Sequence, residues 1–203
     1  MKVNALLLIS LAAALWAGTA HAGVVVAKQH GTLLVASANG TVQAVRGHAS
    51  IGARLVGGRV VGHARRARIH GVVVKRVGAT AFLASNRHVL AVRSADPTPA
   101  PTGSVVDTTV TVQPNGELED ENENEVGQVA GSLQISATIT AAGAGTVTLS
   151  VNGRSLTVAL PNGLTLPASV VGQTVTFSVD VGRNDDDQGD DDNGGDQHGG
   201  GDD

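Results

Sequence analysis

Apolar residues alternate with small polar ones along most of this chain, and the alternating runs stop at Gly or at an Asn-Gly pair. Thr146-Val147-Thr148-Leu149-Ser150-Val151 is followed by Asn152-Gly153, and Ser155-Leu156-Thr157-Val158-Ala159-Leu160 by Pro161-Asn162-Gly163. A period of two puts successive side chains on opposite faces of a strand, whereas an amphipathic helix needs a period near ~3.6, which no long stretch shows. The pattern therefore predicts an all-β fold of small units. Short sheets of this kind curl into barrels or sandwiches because closure removes exposed edges.

The first residues lie outside this pattern. Met1-Lys2 is a short positive start, Ala5 to Ala17 is apolar apart from Ser10, and Ala20-His21-Ala22 is a small-x-small cleavage site. This is the layout of a signal peptide. The apolar run falls short of the ~20 residues that a membrane span needs. An exported protein of the periplasm or cell envelope, with Gly23 as its first mature residue and no later transmembrane segment, is the expectation. There is no Cys, hence no disulfide framework, thiolate metal site or lipid-attachment cysteine. Trp16 belongs to the leader, so the mature aromatics are Phe82 and Phe177, each in an apolar strand pattern that points to the core.

An internal repeat organises the N-terminal half. Gly23-Val24-Val25-Val26 recurs as Gly71-Val72-Val73-Val74, and Leu34-Val35-Ala36-Ser37 as Phe82-Leu83-Ala84-Ser85, both 48 residues on. Val42-Gln43-Ala44-Val45-Arg46 recurs as Val89-Leu90-Ala91-Val92-Arg93 one residue closer. Asn39-Gly40, where both residues tolerate positive φ, reads as a two-residue hairpin turn. Residues 1–22 are thus predicted as signal peptide, 23–93 as a basic duplicated β-domain, and 94–125 as a Pro-rich linker with an acidic loop. Residues 126–182 are predicted as a second small β-domain and 183–203 as a disordered Asp/Gly-rich tail, since the tail holds almost nothing to bury.

The second domain carries a starting Gly127-x-Val129, a Thr/Val hairpin around Asn152-Gly153, and Leu166-Pro167 followed by Val171-Gly172-Gln173-x-Val175. In these features it resembles a small OB-like β-domain family of unknown function found in exported bacterial proteins. The Gly-Val-Val units at 23–46 and 71–93 resemble shorter relatives. The resemblance implies an OB-like fold and brings no catalytic residues.

Charge is segregated along the polypeptide. Residues 23–93 hold Lys28, Arg46, Arg54, Arg59, Arg65, Arg66, Arg68, Lys75, Arg76, Arg87 and Arg93, and no Asp or Glu. All 18 acids follow, against only Arg154 and Arg183, so a net charge of −4 hides a strong polarity. On a strand, Arg66, Arg68 and His70 share one face. A polyanion or envelope polymer is the expected partner, with Arg65, Arg66, Arg68, Lys75 and Arg76 as its binding residues. The acidic tail is a second expected partner for the basic domain, within or between molecules.

No constellation points to catalysis. The 23–93 stretch has Ser and His but no carboxylate to stand behind them. Gly47-His48-Ala49-Ser50-Ile51-Gly52 misses the Gly-x-Ser-x-Gly spacing. The acidic stretch at 117–125 is too polar to raise a carboxyl pKa for acid work. Asp185-Asp186-Asp187 and Asp190-Asp191-Asp192 fit no EF-hand frame, leaving weak, diffuse divalent-cation binding by the tail and no cofactor. The sequence thus predicts a non-enzymatic binding or interaction module acting through charge. The alternative is a structural or matrix protein that self-associates through its basic domain and acidic tail.

Overall fold

The structure is a computed structural model that describes residues 22–29, 31–94, 96, 98–160 and 164–181. The expected signal peptide and acidic tail lie outside the described residues, as does the Phe177 side chain. The fold is all-β, and the only helical piece among the described residues is a 3-10 turn at Ala168–Val170. No helix among them is long and apolar enough to cross a membrane.

Five strands form a first sheet: β1 (Gly23–Gln29), β2 (Thr32–Ala36), β3 (Val42–Arg46), β4 (Ala53–Val56) and β5 (Arg59–His63). Their order is β3-β2-β1-β4-β5, and β3 and β5 are its two edges. The next five strands are β6 (Arg66–Val77), β7 (Thr80–Ser85), β8 (His88–Arg93), β9 (Ser104–Val112) and β10 (Leu118–Gln128). They pair in the same sequence, β8-β7-β6-β9-β10, and here the ends meet. Leu118 and Glu119 of β10 lie parallel to Val92 and Arg93 of β8, closing a five-stranded barrel. A third unit has β11 (Gly131–Gly143), β12 (Thr146–Val151), β13 (Arg154–Ala159) and β14 (Thr174–Val181), in the order β13-β12-β11-β14. A bridge between His88 and Ser136 joins it to the barrel.

The unit boundaries therefore differ from those expected. The first sheet ends at His63, and the barrel takes its strands from both sides of position 93. Residues 94–125, expected as linker and acidic loop, contain β9 and most of β10. The acidic run extends because Leu118 seats in the core and the acids find donors across the strand pair. Asp120 accepts from the Thr108 hydroxyl, and Glu121 from the Thr111 hydroxyl.

The registers of the three units coincide. β1 and β2 skip a residue between Val25 and Ala27, β6 and β7 between Val73 and Lys75, and β11 and β12 between Ile139 and Ala141. Gly23 and Gly71 take equivalent places: a Cβ would come within 2.3 Å of the Ala36 carbonyl oxygen at one and 2.8 Å of Ala84's at the other. The turns between the second and third strands differ. Asn86 and Arg87 (φ 47 and 70), like Asn152 and Gly153 (φ 47 and 76), form the two-residue turn with both φ positive. At Asn39-Gly40 only Gly40 (φ 85) is left-handed. Asn39 instead folds its side chain back, accepting the Thr41 amide at 3.1 Å.

Each unit docks on the next through the outer face of its first two strands. Val26, Leu34 and Ala36 are buried in one cluster with barrel residues such as Ala67, Ile69 and Leu118. At the same register positions, Val74, Phe82 and Ala84 are buried with Ile135, Leu149 and Leu156 of the third unit. This double-sided burial is why β7 is buried at all six positions and is apolar without a break from Ala81 to Ala84. In the third unit those positions hold Thr140, Thr148 and Ser150, none of them buried.

Candidate anion-binding surface

The five cations singled out by sequence lie at the junction after β5 and on β6, and most are engaged by the protein's own groups. Arg66 meets Glu121 at 2.9 Å, and Arg68 meets Asp107 at 2.9 Å, with His70 on the same carboxylate at 3.1 Å. Lys75 donates from Nζ to the carbonyl of Thr157 in the third unit at 2.8 Å. Arg76 is the most enclosed: its side chain is 15% exposed and its partner Glu123 only 3%, at 2.6 Å. Arg65 is exposed, and no acid pairs with it among the described residues. The acids come from β9 and β10, so β6 is balanced from within the barrel, while Arg87 and Arg93 at the two ends of β8 meet no acid among the described residues.

These pairs shape the carboxylates. The hydrogen bond from Arg68, reinforced by His70, holds Asp107 below the usual aspartate range. The Thr111 hydroxyl, followed by Arg66, does the same for Glu121. His88 is shifted the other way in sense: burial disfavours its charged form and lowers its pKa.

The first sheet is different. Lys28, Arg46, Arg54 and Arg59 are exposed, and among the described residues none of them meets an acid. Two clusters result. At one end Arg54 lies on β4 and Arg59 opens β5, pairing across from Val56. Val56, Val60 and Val61 on this hairpin are 47, 51 and 58% exposed, so the other described residues leave it largely uncovered. At the other end Thr32 pairs with Arg46, and Lys28 sits one register step away opposite Leu33. There Lys28, Thr32, Leu33, His48 and Ser50 line a cleft of about 410 Å³.

Ser50 Oγ lies 3.1 Å from His63 Nε2 beside that cleft. Among the described residues no hydrogen bond or ion pair brings a carboxylate to the imidazole. Without one, the imidazole has nothing to fix its tautomer or stabilise its charged form, which a serine nucleophile requires. Among the described residues no three His, Asp or Glu side chains gather as a metal site. In small five-stranded barrels of the OB type, ligands commonly lie over strands 2 and 3. In the first two units the outer residues of those strands, such as Leu34 and Val42 or Phe82 and Val89, are packed in the clusters between units. The larger set of exposed cations without an acid among the described residues is elsewhere, on the open first sheet. No protein-family model, no curated protein and no solved structure matches the chain.

Proposed function

We propose that this protein is a non-enzymatic, exported module of the cell envelope that binds polyanions through its first sheet. One observation carries the reading: the acids of β9 and β10 engage Arg66, Arg68 and Arg76 of β6, while Lys28, Arg46, Arg54 and Arg59 of the first sheet, with Arg65 at the junction, form the larger set left without an acidic partner among the described residues, beside Arg87 and Arg93 at the two ends of β8. Unpaired exposed cations on a sheet about 20 Å long suit a linear anion that can span both clusters. The leader read at residues 1–22 supports export. The shared pairing order and bulge position support taking the three units as relatives of the small OB-like family.

The reading is tested by titrating the mature protein with polyphosphate at several salt concentrations. Affinity falls steeply with salt, as counterion release requires. Substituting Arg54 and Arg59 by Gln weakens binding, while the same change at Arg66 and Arg68, already engaged by Glu121 and Asp107, weakens it less. Equal losses from both pairs would remove the distinction on which the proposal stands.

A further inference from the structure

Lys28 in the first sheet and Arg76 in the barrel occupy the same register position. After the skipped residue, Lys28 faces Leu33 across β1 and β2, and Arg76 faces Ala81 across β6 and β7, an offset of 48 in each strand. Arg46 and Arg93 likewise end the third strand of each unit. Lys28, Arg76 and Arg93 border clefts at the mouths of their units: Lys28 with His48 and Ser50 in one, Arg76 with Arg93 and Ser94 in the other.

The two mouths differ in what reaches the cation. In the barrel, β10 runs parallel past the end of β8 and brings Glu123 to Arg76 at 2.6 Å. The same carboxylate oxygen accepts the Ala100 amide at 2.8 Å. In the first unit β5 stops at His63, does not pair with β3, and carries no acid. Lys28 therefore has the setting of Arg76 without its carboxylate, and beyond Val42, whose amide and carbonyl are held by Ser85 and Asn86, no strand among the described residues pairs with the outer edge of β3 where β8 has β10.

We infer that the Lys28 cleft is a seat for a carboxylate presented by an extended acidic peptide, which would lie along the outer edge of β3 as β10 lies along β8. This rests on the polyanion reading and narrows its ligand. An extended peptide is favoured over a polysaccharide because the occupant of the equivalent barrel site is itself a strand, which adds main-chain hydrogen bonds at a sheet edge to its charge. The His48 ring and the Ser50 hydroxyl, which line the same cleft, offer further donors to the same anion.

The test uses the full mature chain, short poly-L-glutamate and polyphosphate, followed by fluorescence anisotropy. Lys28→Gln lowers the affinity for polyglutamate about fivefold, the scale of one exposed charged contact, and Lys28→Arg restores it. Lys28 is exposed, so the variants keep the melting temperature of the parent, which a thermal scan verifies. Unchanged polyglutamate affinity in Lys28→Gln, with polyphosphate still bound, overturns the carboxylate seat and leaves the polyanion reading standing. Failure of both polymers to bind the parent overturns both. Binding of polyphosphate alone, lowered by Lys28→Gln, makes the cleft a phosphate site and overturns the peptide.

Discussion

Arg76 and Glu123 meet at 2.6 Å across the mouth of the barrel, and both are largely withdrawn from water. Arg76 also donates from Nε to the Ala100 carbonyl at 2.5 Å, so the pair fastens the proline-rich segment before β9 to β6. Removing one partner of such a pair leaves the other as a buried charge, which costs more than the pair contributes. Arg76→Ala is expected to destabilise the protein by about 3 kcal/mol. Arg66→Ala, which breaks an exposed pair, is expected to cost under about 1 kcal/mol. Urea unfolding of the two variants checks the contrast.

Gly40 carries a φ of 85, and its carbonyl accepts the His70 amide at 2.9 Å where the first sheet meets β6. An added Cβ would lie 2.7 Å from the His70 nitrogen in a backbone conformation that side chains rarely adopt. Gly40→Ala is expected to cost about 1–3 kcal/mol and to loosen this junction first. Hydrogen exchange would show faster amides in β1 to β3 before any change in β11 to β14.

His88 bridges the barrel to Ser136 of the third unit, and burial lowers its pKa from 6.5. The native state therefore favours the neutral ring, and the unfolded chain takes up the proton at higher pH. The stability this group contributes is present above 6.5 and is lost as pH falls from there through the folded value. Melting temperature is expected to drop across that window in the parent and to drop less in His88→Gln, as read by thermal scans at stepped pH.

Thr140, Thr148 and Ser150 stand where the preceding unit has Val74, Phe82 and Ala84. A polar outer face caps a unit, because it offers another unit no apolar surface to dock on. Replacing Thr140 and Thr148 with Val and Ser150 with Ala is expected to give concentration-dependent self-association that salt does not reverse. Light scattering across a dilution series reads it, and a monomer at all concentrations would count against the capping role.

The strands were legible wherever apolar residues alternate with turn residues, as in β12 and β13, and Phe82 is core, as its pattern implied. β10 was not legible, because only Leu118 marks its buried side and the rest reads as a solvated acidic run. The charge segregation was readable, but its cancellation was not. Arg68 and Asp107 are 39 residues apart, Arg76 and Glu123 47, and Arg66 and Glu121 55, and the pairing of β9 with β6 and of β10 with β9 brings the acids to β6. Arg66 and Arg68 of the densest basic stretch are therefore neutralised in space, while Arg65 beside them and the sparser cations before it meet no acid among the described residues. The Lys28 cleft follows from a register skip that no composition reveals.

The central claim, that anions bind the first sheet and not the barrel, is read most directly by amide chemical-shift mapping of the mature protein titrated with polyphosphate. The expected result is a set of shifts centred on Lys28, Arg46, Arg54, Arg59 and Arg65, with β9 and β10 unmoved. Shifts centred on Arg66, Arg68 and Arg76, with the first sheet silent, would contradict it.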